Sequence, residues 1–90
     1  MYVWDKEKNK SNQAKHKVSF EEAQTVFQDP YALTAPNENG AEEPRQIIIG
    51  YSSKNRQLFV VFYEEDEEEN IRIISARKLT RADQKSLGWV

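Results

Sequence analysis

The stretch Ile71-Arg-Ile-Ile-Ser-Ala-Arg-Lys-Leu-Thr-Arg81 combines a strand, a group of basic residues and the start of a helix. Ile71, Ile73 and Ile74 are β-branched and favour a strand. Thr80 is a preferred N-cap residue, and Asp83 three positions later stabilises the first turn of a helix. The basic residues of this segment should therefore leave the end of a rigid strand close to one another: Arg72, Arg77, Lys78 and Arg81.

Guanidinium groups at the end of a sheet suit phosphate binding, because each presents several N–H donors in a planar fork. The other interpretation is a solvated strand end, where the cations pair with nearby carboxylates and contribute little to binding. The segment taken alone favours neither interpretation over the other.

The composition limits the class of protein. The 90 residues are enough for one domain, residues 1–90, with a modest core. The absence of cysteine excludes disulfides and thiolate metal sites, and is typical of a reducing cytoplasm. No apolar run approaches the roughly 20 residues needed to span a bilayer, and the N-terminus lacks the apolar core of a signal peptide. We therefore expect a cytoplasmic protein that makes no membrane contact.

The charge is distributed unevenly along the chain. Residues 64–69 are six consecutive acids, in a chain with 15 acidic and 13 basic residues. Without this segment nine acids face 13 bases, so the rest of the chain carries a formal charge of +4. A nucleic-acid partner is therefore compatible with the net charge of −2, provided that it binds away from the acidic run.

Two helices are predicted before the sheet. Asp5 can cap a helix that extends to about His16. Ser19 followed by Glu22 has the pattern of a capping box, in which each side chain binds the other residue's backbone N–H. The pair Asp29-Pro30 then ends the second helix, because the residue before a proline avoids helical backbone angles.

An antiparallel meander is predicted for the middle of the chain. Residues 45–52, 57–63 and the segment from Ile71 have strand composition, and residues 31–34 can add a fourth strand. Residues 36–44 are a polar loop, and residues 53–56 a four-residue hairpin loop. The predicted fold class is α+β, with two N-terminal helices, a three- to four-stranded antiparallel sheet and a C-terminal helix from about Arg81.

The single histidine and the two tryptophans each have two interpretations. His16, between two lysines, could act as a general acid or base, or could simply end the first helix, where a cation suits the helix dipole. Trp4 and Trp89 could stack on nucleic-acid bases. The simpler interpretation is that each tryptophan closes one side of a small core.

The remaining basic residues suggest RNA cleavage. Such a reaction needs a base for the 2′-hydroxyl, cations for the charged phosphorane and an acid for the 5′-oxygen. One histidine with several cations can meet these needs without a metal. The chain has no Gly-rich phosphate loop and no His/carboxylate metal pattern, so no metal or cofactor is expected. The basic set that would converge, if the first helices pack near the last strand, is Lys8, Lys15, His16, Arg45, Arg72, Arg77 and Arg81.

The chain resembles the BrnT family of toxins from bacterial type II toxin–antitoxin systems. The resemblance implies a fold similar to RelE-type ribonuclease toxins, and an endoribonuclease that arrests translation by cleaving RNA. It extends nearly from end to end. The matching residues are Trp4-Asp5, Lys8 and Asn12; Lys15-His16-x-Val18-Ser19-Phe20-Glu21-Glu22-Ala23; Val26-Phe27-x-Asp29-Pro30; Arg45 with Ile48-x-Gly50-x-Ser52; and Ile71-Arg72-Ile73-Ile74-Ser75-Ala76-Arg77-Lys78-x-Thr80.

The resemblance also implies a partner and a site. The partner is a BrnA-like antitoxin that dimerises through a ribbon-helix-helix domain, contacts the DNA of the shared operon and forms a 2:2 heterotetramer with the toxin. Together with the basic set, the resemblance predicts the catalytic residues His16, Arg72, Arg77 and Asp83. The predicted RNA-binding residues are Lys8, Lys15, Arg45, Lys78 and Arg81.

The last helix departs from the family pattern. Asp83 and Leu87 stand at positions where the family usually has Glu and Tyr, and a leucine cannot donate a proton. This departure motivates an alternative function, in which a catalytically degenerate toxin homologue binds its antitoxin and tunes repression of the operon.

Overall fold

The computed structural model describes residues 1–37, 44–65 and 69–89. The predicted polar loop at residues 36–44 and the acidic run at residues 64–69 therefore lie partly outside the described residues. The elements, in chain order, are β1 (Tyr2–Val3), α1 (Lys6–His16), α2 (Phe20–Gln24) with a following 3-10 helix (Thr25–Gln28), β2 (Leu33–Asn37), β3 (Arg45–Tyr51), β4 (Gln57–Glu65), β5 (Asn70–Lys78) and α3 (Arg81–Ser86).

The strands form one five-stranded sheet in the order β1-β5-β4-β3-β2. Strands β2 to β5 pair antiparallel, whereas β1 pairs with β5 in parallel. The predicted three- to four-stranded antiparallel sheet was therefore wrong. Strand β1 has only two residues, too few to show a period of two, and its partner lies near the opposite end of the sequence. The amide of Ile71 donates to the carbonyl of Met1 over 2.8 Å.

The prediction of two N-terminal helices was also wrong, because only α1 is a long helix. Helix α2 has five residues and continues as a four-residue 3-10 helix. Thr25 explains the change, since its hydroxyl donates to the carbonyl of Glu22 over 2.7 Å. That carbonyl would accept from Val26 in a continued α-helix, so the threonine side chain competes with the helical hydrogen bond.

The predicted helix starts were placed correctly. Asp5 accepts from the amides of Glu7 and Lys8, and Ser19 accepts from the amide of Glu22. The capping box predicted at Ser19 forms only in part, because the Glu22 carboxylate instead accepts from Ser52 and Arg56. A complete capping box joins Thr80 and Asp83 at the start of α3.

The core lies between the sheet and the segment that contains α2. Trp4 packs against this core and meets the Phe20 ring edge-on at a centroid distance of 6.2 Å, which confirms the simpler interpretation of that tryptophan. The buried core residues are Val18, Phe20, Ala23, Val26, Ile48, Leu58, Val60, Phe62, Ile73 and Ala76.

Helix α1 is attached to the sheet by polar groups, since its buried residues are Asn9 and Asn12. The Asn12 amide nitrogen donates to the carbonyls of Ala76 and Val18, each over 2.8 Å. The Asn12 amide oxygen accepts from the N–H of Ala76 over 3.2 Å. Because β1 pairs only with residues 71 and 72, Asn12 occupies the place of a neighbouring strand further along β5.

A β-bulge interrupts the pairing of β4 with β5. Val61 is opposite Ser75 and Phe62 is opposite Ile73, so Ile74 is the extra residue on β5. A bulge of this kind changes which side chains face each side of a strand. Ile73 and Ala76 both belong to the core, although residues three apart would face opposite sides of a regular strand.

We predict that Asn12→Ala lowers the free energy of unfolding by about 3 kcal/mol, because it leaves three buried backbone groups without their partner. Urea denaturation monitored by circular dichroism measures the change. Lys10→Ala, at an exposed position of α1, is the matched control and should change stability by less than about 0.5 kcal/mol. Equal stability of the two variants would contradict the role given to Asn12.

Candidate nucleic-acid interface

A groove of about 330 Å³ lies between α1 and β5. Lys8, Ser11 and Lys15 follow the spacing of one helix face, so all three side chains can reach the same groove. Of the basic residues predicted to converge, the structure therefore brings Lys8, Lys15 and His16 to one groove beside β5. The lining residues are Lys8, Ser11, Asn12, Lys15, His16, Ile74 and Ser75.

The position of His16 combines its two sequence interpretations. It is the last residue of α1, and Lys17 follows as a left-handed C-cap with φ 60°, so the backbone turns away directly after the histidine. Lys15 and His16 occupy the last turn, where the helix dipole favours cations. The half-buried imidazole also lines the groove, within the set of residues that could meet a phosphate.

One face of β5 carries two arginines and a serine. Arg72, Ser75 and Arg77 are opposite Tyr63, Val61 and Phe59, respectively, which alternate along β4 and so share one face. Each of the two intervals along this face is therefore about 7 Å. This face is opposite to the one that forms the core with α2, and it meets the groove at Ser75.

Arg77 is held in one position by an aromatic ring and a carboxylate. Its guanidinium carbon lies 4.2 Å from the centroid of the Phe59 ring, a cation–π distance. Its two terminal nitrogens donate to the two oxygens of Asp83 over 2.6 and 3.2 Å. Since the ion pair between Arg77 and Asp83 is bidentate and partly buried, it holds the Arg77 side chain in one direction near the end of β5.

The Asp83 carboxylate is bound from two sides. Hydrogen bonds from Arg77 are the largest reason that the pKa of Asp83 lies well below its usual range, and bonds from Thr80 add to the effect against the opposing effect of burial. Asp83 thus joins the end of β5 to the start of α3. Its geometry is that of a residue that positions Arg77.

The alternative interpretation of the strand end, cations paired with carboxylates, also holds in part. Arg72 donates to Glu65 through one hydrogen bond of 3.2 Å, and the two side chains are 36% and 27% exposed. A partly exposed ion pair with a single long hydrogen bond contributes little to stability, so a phosphate could exchange with Glu65 at low cost. Arg72 and Arg77 therefore differ, because only the second is held tightly.

The other predicted RNA-binding residues lie outside the groove. Arg45 begins β3, and its register places it on the same sheet face as Arg72 and Arg77, two strands away. Lys78 is opposite Leu58, which puts it on the core side of the sheet at an exposed end. Arg81 is exposed at the first position of α3. The structure brings neither Lys78 nor Arg81 into the groove.

Sequence reasoning missed Ser75 and Tyr63 as candidate residues. Tyr63 ends the apolar run of residues 57–63, and in the structure it is half-exposed opposite Arg72. No periodicity in the sequence marks the bulge that turns Ser75 toward the arginines. The available signal was the position of Tyr63 at the end of its apolar run, where coverage by a helix is least expected.

Trp89 belongs to a different part of the surface. It is 42% exposed and lines a small apolar pocket of about 200 Å³ with Tyr31, Ile49 and Tyr51. Ile49 lies on β3, two strands from β5, so this pocket is separate from the groove. Trp89 is not among the described residues that pack against the core, so the structure does not bear out the prediction that it closes one side of that core.

A buried carboxylate on α2 forms an ion pair with an arginine of the β3–β4 hairpin. The side chain of Glu22 is 1% exposed, accepts from Ser52 over 2.6 Å and pairs with Arg56. The hydrogen bond from Arg56 is the largest reason that the pKa of Glu22 is lowered. Arg56 also donates to the carbonyl of Lys17 over 3.1 Å, so its guanidinium connects the β3–β4 hairpin to Glu22 and to the end of α1.

Among residues 1–37, 44–65 and 69–89, no three acidic or histidine side chains cluster in a way that could hold a metal ion. Within the same ranges, no helix is long and apolar enough to cross a bilayer.

Helix lysines that line a groove, beside a strand face that carries two arginines, define the class of surface that binds polyanions such as nucleic acids. The family model described as the ribonuclease toxin BrnT of type II toxin–antitoxin systems matches residues 4–83. The chain therefore belongs to the BrnT family of ribonuclease toxins.

A solved structure has the same fold. The ribonuclease toxin BrnT of Brucella abortus aligns with a TM-score of 0.68 and 24% sequence identity, over 90% of this chain and 99% of the Brucella chain. No curated protein matches this chain.

We predict that stability falls as the pH is lowered below about 4.5, the ordinary pKa of a glutamate. Glu22, Asp29 and Asp83 have lowered pKa values in the folded state, so their contribution is complete above the unfolded pKa values and is lost as each carboxylate protonates. Glu22→Gln should flatten this dependence in urea denaturation between pH 3 and pH 6. Glu7→Gln, at an exposed site of α1, is the control and should retain the slope of the wild type.

Proposed function

We propose that this protein is an endoribonuclease toxin that cleaves RNA without a metal, arrests translation in the cytoplasm and is neutralised by a BrnA-like antitoxin. The observation that carries the proposal is the meeting of Lys8, Lys15 and His16 with strand β5 at one groove. Membership of a family described as ribonuclease toxins supports the reaction class.

The chemistry assigned to the groove is internal transesterification of RNA. The 2′-oxygen attacks phosphorus and loses its proton to a base, while the bond to the 5′-oxygen breaks and that oxygen receives a proton. The products are a 2′,3′-cyclic phosphate and a free 5′-hydroxyl. His16 is the groove side chain that can accept and donate a proton, and Lys8 and Lys15 stabilise the charge that develops on the phosphorane.

The arginines of the open sheet face orient the RNA on either side of the groove. Arg77 is held rigidly by Phe59 and Asp83, which makes it a preformed phosphate ligand. In this proposal Asp83, predicted from sequence as catalytic, acts by positioning Arg77. Arg72 and Arg45 extend the basic face, and Tyr63 offers a ring for base stacking. Lys78 and Arg81 would contact the RNA backbone beyond the groove.

The antitoxin would act by covering this groove. A segment that is acidic or amphipathic matches the charge of Lys8 and Lys15 and would exclude RNA from the groove. We propose that it belongs to a BrnA-like ribbon-helix-helix protein, that the complex is a 2:2 heterotetramer, and that contact with DNA is made by the antitoxin alone.

The test is cleavage of total RNA by purified protein in the presence of EDTA. His16→Ala should lower the rate by about 10²- to 10⁴-fold, the range for loss of a general acid or base. Arg77→Ala should also lower the rate, whereas Lys54→Ala, a cation of the β3–β4 hairpin outside the groove, should act like the wild type. Circular dichroism confirms that each variant is folded.

Two results would count against the proposal. Cleavage that disappears when EDTA is added would contradict metal independence. Undiminished cleavage in His16→Ala, Arg72→Ala and Arg77→Ala together would show that the groove and the neighbouring strand face are not the site.

A second candidate function is a catalytically degenerate toxin that binds its antitoxin and tunes operon repression. Leu87 motivates it, and so does the engagement of Asp83 with both Arg77 and Thr80, which leaves this carboxylate little freedom to transfer protons. This function predicts antitoxin binding with no cleavage of free RNA or of messenger RNA on translating ribosomes. Cleavage by the wild type that His16→Ala abolishes would exclude it.

A further inference from the structure

Ser75, the residue after the bulge at Ile74, carries a hydroxyl group where the groove meets the face with Arg72 and Arg77. We propose that Ser75 is a further substrate-binding residue, whose hydroxyl donates a hydrogen bond to a non-bridging oxygen of the RNA phosphate between α1 and β5. The inference rests on the RNA binding in the proposed function and adds a neutral phosphate ligand to its cations.

The bulge determines where Ser75 points. In a regular strand Ser75 would share a face with Ile73, which is 1% exposed in the core, and the buried hydroxyl would need a partner there. The extra residue Ile74 transfers the core position to Ala76 and turns Ser75 to the face of Arg72 and Arg77. Bulges interrupt a ladder of hydrogen bonds, and they are frequent beside active sites, where they redirect a side chain.

The Ser75 hydroxyl is also available. The hydroxyls of Ser11, Ser19 and Ser52 are engaged in hydrogen bonds within the fold. In the described part of the chain, the Ser75 hydroxyl has no hydrogen-bond partner, although the residue is half-buried. A half-buried hydroxyl beside a groove can therefore donate to a ligand without giving up an existing bond.

The surroundings favour a phosphate over a neutral ligand. Lys8, Lys15 and His16 line the same groove, and Arg72 and Arg77 flank Ser75 along the strand at about 7 Å on each side. Lys8 and Lys15 attract a phosphate as flexible point charges, without fixing its orientation. A short hydroxyl on a rigid strand supplies a directional bond, and this difference in role leads to a difference in salt dependence.

The experiment measures binding of a 2′-O-methyl oligoribonucleotide, which cannot be cleaved, by fluorescence anisotropy at several salt concentrations. Ser75→Ala should raise the Kd about tenfold, the effect of losing one hydrogen bond to a charged group. Because no cation is removed, the slope of log Kd against log salt should stay that of the wild type. Lys15→Ala should instead reduce that slope by about 0.7, the value for one phosphate contact on a single strand.

Two serine variants control for structure. Ser75→Thr keeps the hydroxyl and suits a strand, so its Kd should stay within twofold of the wild type. Ser53→Ala removes a hydroxyl from the β3–β4 hairpin and should have no effect. A Ser75→Ala variant that binds as tightly as the wild type would overturn the inference, as would a wild type that does not bind the oligonucleotide.

The binding measurement separates this inference from the proposed reaction. Ser75-dependent binding without cleavage of RNA would support the phosphate ligand and contradict the ribonuclease proposal. Cleavage by the wild type that is equally fast in Ser75→Ala, with unchanged Kd, would leave the proposed function standing and remove Ser75 from the site.

Discussion

The hydrogen bonds between Asn12 and Ala76 are the contact on which the candidate site depends. Helix α1 has no apolar side that could dock it, and its buried residues are two asparagines. Asn12 satisfies both backbone groups of Ala76 where the partner strand β1 is absent. This contact holds α1 along the edge of β5, and the groove with Lys8, Lys15 and His16 exists because the two elements are joined there.

The bulge at Ile74 and the ion pair at Arg77 organise the strand side of the groove. Because of the bulge, Arg72, Ser75 and Arg77 share one side of β5, while Ile73 and Ala76 face the core on the other side. Phe59 and Asp83 then hold the last arginine, and Asp83 also caps α3. One carboxylate thus couples the position of a helix to the direction of a cation. Rigid placement of this kind lowers the entropy lost when an anionic ligand binds.

Much of the site was predictable because its residues belong to local patterns. Capping residues marked the starts of α1, α2 and α3, and helical spacing put Lys8 and Lys15 on one face. The sheet was predicted less well. Strand β1 has two residues, too few to show the alternation of a strand. The length of α2 was also predicted wrongly, because the hydroxyl of Thr25 ends this helix early. The direction of the Ser75 side chain depends on the bulge at Ile74. The exposure of Tyr63 depends on how far other elements cover this face of the sheet. Both are properties of the assembled sheet.

The sequence by itself determined the helix caps, the apolar strands and the family, because these follow from residue types at short separations. Tertiary structure decided the parallel pairing of β1 with β5, the attachment of α1 through Asn12 and the union of the groove with the arginine face. Each of these joins residues far apart in the chain, Asn12 and Ala76 by 64 positions. Such contacts depend on which elements are neighbours in the folded sheet, so no local pattern can specify them.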